Sequence, residues 1–290
     1  MSIWHTSITL LLLAASTVAL STSSTGHVRL SSGHKLWYKV ARPELLDAAA
    51  SPLVVLHGGP QVPSDYLFDL ERLDDRAVVF YDQLGCGRSD EAAADSGCYS
   101  VDASVQDLRA VLRGVGLDER PYHLYGQSWG GLLAFFHLAT VDADETPCGS
   151  ASSLVLSNTP SSVALVETEA GRLLEACDGD IEAFMAAHNY RGGAEQPPQL
   201  ADAYAHAGTT WRGSGAIKGV EATAETMRRV ECAALVMRGE HDFCTEACVE
   251  AWSGLPDARF VTLAGASHHA LLETPEEYLE ALGGFLRTHD

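Results

Sequence analysis

The chain has 290 residues, 46% of them hydrophobic, with 19 Lys and Arg against 39 Asp and Glu and a net charge of −20. That length and apolar content build one sizeable core and exclude a disordered chain. Nucleic acid is excluded as a partner, because phosphate binding needs clustered cations; the acidic surface suits a salty or extracellular setting and attracts cationic substrates modestly.

An apolar run from Ile8 to Leu20 opens the chain, too short to span a bilayer comfortably, and small residues from Ala19 to Ser21 suit cleavage. Residues 1–21 are expected to be a secretory signal peptide, which implies secretion or an endomembrane lumen. The run has no Lys or Arg before it, so an uncleaved anchor is the alternative. No further membrane segment follows, and no stable membrane association is expected after cleavage.

Pro52-Leu53-Val54-Val55-Leu56 reads as a strand buried on both faces of a parallel sheet. It runs into His57-Gly58-Gly59-Pro60, where glycines let backbone N–H groups approach a substrate and stabilise an oxyanion. Gly59 N–H is assigned as one donor, and His57 as a brace for the loop. Val101 to Val115 is expected to be a helix with Val105, Leu108, Val111 and Leu112 on one face.

Tyr122 to Tyr125 is a strand and Leu132 to Thr140 a helix, with Gly126-Gln127-Ser128-Trp129-Gly130 between them. G-x-S-x-G at a sharp strand-to-helix turn thrusts a serine Oγ out at the top of a sheet, and the next N–H points into the same space. Ser128 is the expected nucleophile, and Trp129 N–H the second oxyanion donor.

Residues 160–229 break the strand-helix rhythm and are expected to form a helical cap over the serine. Leu173, Leu174, Ile181, Phe184 and Met185 at helical spacing argue against a disordered insertion. The core is then 27–159 and 230–290: an α/β fold of the α/β-hydrolase kind, a mostly parallel sheet flanked by helices.

Ala233 to Met237 is another buried strand, followed by Arg238-Gly239-Glu240-His241-Asp242. An acid past a late strand fits the chain order Ser, acid, His. Asp242 is preferred to Glu240 because the carboxylate must be carried past Gly239 to reach a histidine. Ala258 to Leu263 reads as the last strand, and the loop after it holds His268 and His269 before a closing helix, Pro275 to Arg287. His268 is taken as the general base, with His269 as the alternative.

Three blocks together carry a family resemblance: His57-Gly58-Gly59-Pro60, Tyr81-Asp82-Gln83-Leu84-Gly85-Cys86-Gly87-Arg88-Ser89, and Gly126-Gln127-Ser128-Trp129-Gly130-Gly131. They resemble the proline iminopeptidase (prolyl aminopeptidase) family of α/β-hydrolases, from about Val28 to Phe285. The resemblance implies a Ser128, Asp242, His268 triad and supports His268 over its neighbour. It implies scaffold for the Tyr81–Ser89 turn, and an unpaired Cys86. The chain also departs from the family. Gln61 follows the His-Gly-Gly-Pro block where Gly is usual. Phe243 stands where aminopeptidases related to tricorn-interacting factors carry an amine-binding glutamate, and Glu195 is the nearest candidate for a second such glutamate in the cap.

Six cysteines besides Cys86 (Cys98, Cys148, Cys177, Cys232, Cys244 and Cys248) allow 15 disulfide connectivities. A Cys244–Cys248 bridge would stiffen the acid loop. No Cys-x-x-Cys, Cys/His cluster or dinucleotide fingerprint occurs, so no metal or cofactor is expected. The reading is a serine hydrolase of the proline iminopeptidase type, releasing an N-terminal residue, preferably proline, from a small peptide or amide. The alternative is a carboxylesterase or amidase that has lost amine recognition. A non-catalytic binder would have no use for an intact Ser, Asp and His.

Overall fold

The structure is a computed structural model that describes residues 22–140 and 151–290. The expected signal segment and Cys148 lie outside the described residues.

Eight strands form one sheet: β1 Ser23–Arg29, β2 Lys35–Ala41, β3 Leu53–Leu56, β4 Val78–Tyr81, β5 Tyr122–Gln127, β6 Ala151–Ser157, β7 Ala233–Gly239 and β8 Arg259–Leu263. Their order is β1-β2-β4-β3-β5-β6-β7-β8. The β1–β2 hairpin is antiparallel and pairs β2 antiparallel to β4; every pairing from β4 to β8 is parallel. β1 begins at Ser23, four residues before the expected start of the core, because its backbone finds ladder partners on β2 as far as Ala41. This hairpin and β6 carried no continuous apolar run to reveal them.

The central strands are buried along most of their length because both faces are covered. Side chains alternate across a strand, so Val54 and Leu56 of β3 join one core cluster while Leu53 and Val55 join the other. In β7, Ala234 and Val236 face one way and Leu235 and Met237 the other. Helix α1, Val101–Gly114, is capped by Ser100, whose side chain accepts from Ala103 N, and buries Val105, Leu108, Val111 and Leu112 as its periodicity requires. Helix α2, Trp129–Ala139, is buried nearly all round against the sheet.

Between β6 and β7 lie α3 Val163–Ala176, α4 Ile181–Phe184, a π-turn Met185–Asn189, α5 Pro198–Ala205, a 3-10 turn Ser214–Ile217 and α6 Ala224–Met227. Among the described residues, β pairing there is confined to a bridge between Ser162 and Glu221. Two short helices, α7 Glu246–Val249 and α8 Ala270–Glu273, and the longer closing helix α9 Pro275–Thr288 complete the fold. No helix of the described residues is long and apolar enough to cross a membrane.

Candidate active site

Apart from Glu195, the candidate residues of the site sit past the carboxyl ends of parallel strands, the edge at which open α/β sheets bind ligands. Ser128 ends β5 at φ 55°, ψ −121°, a left-handed conformation costly for a residue with a Cβ. Its N–H is tied to Ser157 O at 2.8 Å. The turn fits because α2 starts directly on β3: a Cβ at Gly130 would lie 2.2 Å from Leu56 O, and one at Gly126 would lie 2.2 Å from Gly130 O.

The loop after β3 is braced from below. His57 is buried, and its Nε2 accepts from Gln83 N at 2.9 Å, so its proton sits on Nδ1, which donates to Gly58 O at 3.0 Å. Burial holds the imidazole below its ordinary pKa, with Asp82 opposing. Gln83 ties the two halves of the site together: its Nε2 donates to His57 O and its Oε1 accepts from Trp129 Nε1, both at 2.8 Å. Asp82 accepts from Ser64 and Arg88. Burial opposes its ionisation, but Arg88 and these hydrogen bonds hold the carboxyl below the usual range. The Tyr81–Ser89 turn is scaffold, as its resemblance implies.

Gly58 N–H is donated to Tyr66 Oη at 2.8 Å. Among the described residues no acceptor is recorded for Gly59 N–H, and Trp129 N–H, in the first turn of α2, has no intrahelical acceptor. Both residues line the same cavity as Ser128.

Asp242 is buried and its carboxylate is saturated. Oδ1 accepts from His268 Nδ1 at 2.8 Å and from Cys244 N at 2.9 Å, and Oδ2 accepts from Asn158 Nδ2 at 2.7 Å. Glu240 is exposed and accepts from Gly265 N instead. His269 is buried with its Nε2 against Tyr204 Oη at 3.0 Å. Burial, then the neighbouring His268, hold its pKa well below the ordinary value, so it stays neutral.

The His268 ring stacks on Phe243, with centroids 4.0 Å apart and planes at 30°. Ser128 and His268 share the cavity wall, yet no hydrogen bond between them is recorded; such contacts often close only around substrate.

Two bracing groups were not anticipated. Asn158, at φ 51° just past β6, also donates to Ser267 O, joining the acid and base loops. The π-turn of the inserted segment does the same from above: His188 O accepts from His268 N, Asn189 O accepts from His269 N, and His188 Nδ1 donates to His241 O at 2.7 Å. Neither carries a local sequence signal, because both act through backbone atoms or partners far along the chain.

The cavity has a volume of about 320 Å³. Apolar side chains, among them Leu132, Val163, Val166, Ile217 and Phe243, dominate its wall, and Asn189, Tyr204 and Arg212 supply polar atoms. Phe243 lines the cavity. Glu195 does not: it lies exposed on the loop before α5, outside the cavity lining. The Cys244–Cys248 pairing also needs correction. The six described cysteines are free, and the Cys244 and Cys248 thiols share a hydrogen bond rather than a covalent one.

The sequence profile of the alpha/beta hydrolase family matches residues 53–281. A proline iminopeptidase of Lactobacillus delbrueckii subsp. lactis is 30% identical over 278 residues, covering 83% of this chain and 91% of that protein. One from Heyndrickxia coagulans is 30% identical over 279 residues, covering 83% and 92%. The crystal structure of a Mycobacterium smegmatis proline iminopeptidase superposes with a TM-score of 0.78 at 29% identity, covering 92% of this chain and 98% of that one.

Proposed function

The chain belongs to the proline iminopeptidase family of α/β-hydrolases, and from that premise we propose that it is a serine hydrolase that cleaves ester or amide bonds of compact acyl groups through Ser128, His268 and Asp242. One observation carries the reading: a serine on a strained elbow shares a cavity with a histidine whose far nitrogen is held by a saturated, buried carboxylate.

His268 Nε2 takes the Ser128 proton as Oγ attacks the acyl carbon, and Gly59 and Trp129 N–H groups receive the resulting oxyanion. Collapse breaks the bond to the leaving group, which takes the proton from His268, and leaves an acyl-Ser128 ester. Water, deprotonated by His268, then releases the acid and restores Ser128. Asp242 keeps the His268 proton on Nδ1 and stabilises the imidazolium. Phe243 holds the ring in plane from the other side.

Release of an N-terminal proline is the second reading, favoured by the activity named for the relatives. A compact apolar wall suits a pyrrolidine ring. Against it, no Asp or Glu lines the cavity to meet a protonated amine, and a buried cation without a partner is costly. Assaying 4-nitrophenyl butyrate beside prolyl-4-nitroanilide separates the two. Rapid ester turnover with a slow or inert anilide supports the first reading, fast prolyl release selects the second, and inactivity on both rejects the proposal.

Asp242→Asn should lower kcat by about 10⁴-fold with little change in KM, since the amide favours the wrong His268 tautomer. Glu240→Gln, on an exposed side chain, should be mild. Equal losses from the two would mean that the acid has been misassigned.

A further inference from the structure

The one Lys or Arg side chain on the cavity wall has the sign opposite to what amine recognition requires. The lining residues of the cavity include no carboxylate, and Arg212 is the single Lys or Arg among them. Among the described residues Arg212 forms no ion pair or hydrogen bond; its one recorded electrostatic neighbour is the Tyr204 phenol, on the same wall. Glu91, a carboxylate from another loop that contacts this one, accepts from Thr210 Oγ1 at 2.5 Å.

The loop places Arg212, an exposed residue, on the wall of the cavity that Ser128 also lines. Trp211 N donates to Gln61 Oε1 at 3.0 Å, and its ring meets Trp129 edge-on, with centroids 5.2 Å apart, while stacking with Tyr99. Trp129 directly follows Ser128. Beyond Arg212, Gly213, Ser214 and Ile217 continue the cavity wall, so the guanidinium is carried by a clamped segment rather than by a free loop end. The chain's net −20 charge is spread over its whole surface. At about 0.1 M salt, charges more than about 10 Å apart are screened, which leaves two near charges at the cavity: Asp242, whose carboxylate is turned to His268 Nδ1 behind the wall, and Arg212, which is on the wall itself.

We propose that Arg212 is a specificity residue that selects substrates carrying a carboxylate, and that this cavity takes anionic esters or amides in preference to those bearing a free amine. The inference rests on the serine hydrolase reading above. The planar guanidinium matches a carboxylate through two parallel hydrogen bonds, and the apolar wall around it lowers the local dielectric once substrate excludes water. The carboxylate belongs either to the acyl group or to the leaving group, and the test separates the two.

On the acyl side, 4-nitrophenyl hydrogen adipate is compared with 4-nitrophenyl methyl adipate and 4-nitrophenyl 6-aminohexanoate. On the leaving side, 4-carboxyphenyl butyrate is compared with the butyrate of methyl 4-hydroxybenzoate. In one arm the acid should exceed its neutral methyl ester by about fivefold in kcat/KM, the upper range for a partly exposed ion pair. Arg212→Gln should erase that ratio, and Arg212→Glu should reverse it toward the aminohexanoate. Ratios taken within one protein are independent of how much of a variant folds. Flat ratios in both arms, or a wild-type preference for the amine, overturn the inference. Loss of Ser128-dependent turnover of the neutral methyl esters would instead overturn the hydrolase reading beneath it.

Discussion

Ser128→Ala is expected to lower ester turnover by about 10⁶-fold while the protein stays folded, the scale of loss when a triad nucleophile is removed. The size follows from the mechanism. Without Oγ no acyl-enzyme forms, and what remains is binding and the oxyanion donors acting on water. The fold should survive because alanine keeps the Cβ and the backbone N–H that donates to Ser157 O, and it meets the same φ of 55° that serine already tolerates. A fluorophosphonate probe should label the wild type at Ser128 and leave the variant unlabelled, with thermal midpoints within a few degrees of each other. Labelling at another residue, or undiminished turnover, would remove Ser128 from the mechanism.

His268→Ala should cost a similar factor, and His269→Ala far less in kcat at a measurable cost in stability. The two histidines are adjacent in sequence but opposite in surroundings. His268 is bonded to Asp242 and faces the cavity. His269 is buried against Tyr66 and Tyr204, is held neutral, and has a buried Nδ1 that finds no acceptor. Removing its ring leaves a hole between two tyrosines, a packing loss of about 1–3 kcal/mol. Only a neutral imidazole can accept the Ser128 proton. Burial and the neighbouring His268 hold the His269 pKa well below its ordinary value. The opposite ranking of the two alanine variants would transfer the base to His269.

Local chemistry made the elbow legible. Glycines at 126 and 130 are dictated by backbone contacts under 3 Å, and a serine between them at a strand-to-helix junction has few other uses. The same holds for β3 and β7, whose runs Leu53–Leu56 and Ala233–Met237 are unbroken and record burial on both faces, and for α1, whose periodicity records burial on one. The β1–β2 hairpin was illegible because an antiparallel edge needs no continuous apolar run. β6 was illegible because Ala151, Ser152 and Ser153 mask its first half.

The sequence by itself pointed to Ser128 as the candidate nucleophile, to the strand before the candidate acid and the loop of the candidate base, and to a scaffold role for the Tyr81–Ser89 turn. Each is written in residues a few positions apart, where backbone sterics and side-chain alternation act. The tertiary structure alone decided that Asn158 and the π-turn carbonyls hold the two loops together, and that Glu195 stays off the cavity wall while Arg212 lines it. Those outcomes depend on β6, β7 and β8 lying side by side and on how the segment between β6 and β7 packs over their ends. They are contacts between residues dozens of positions apart, which no local pattern encodes.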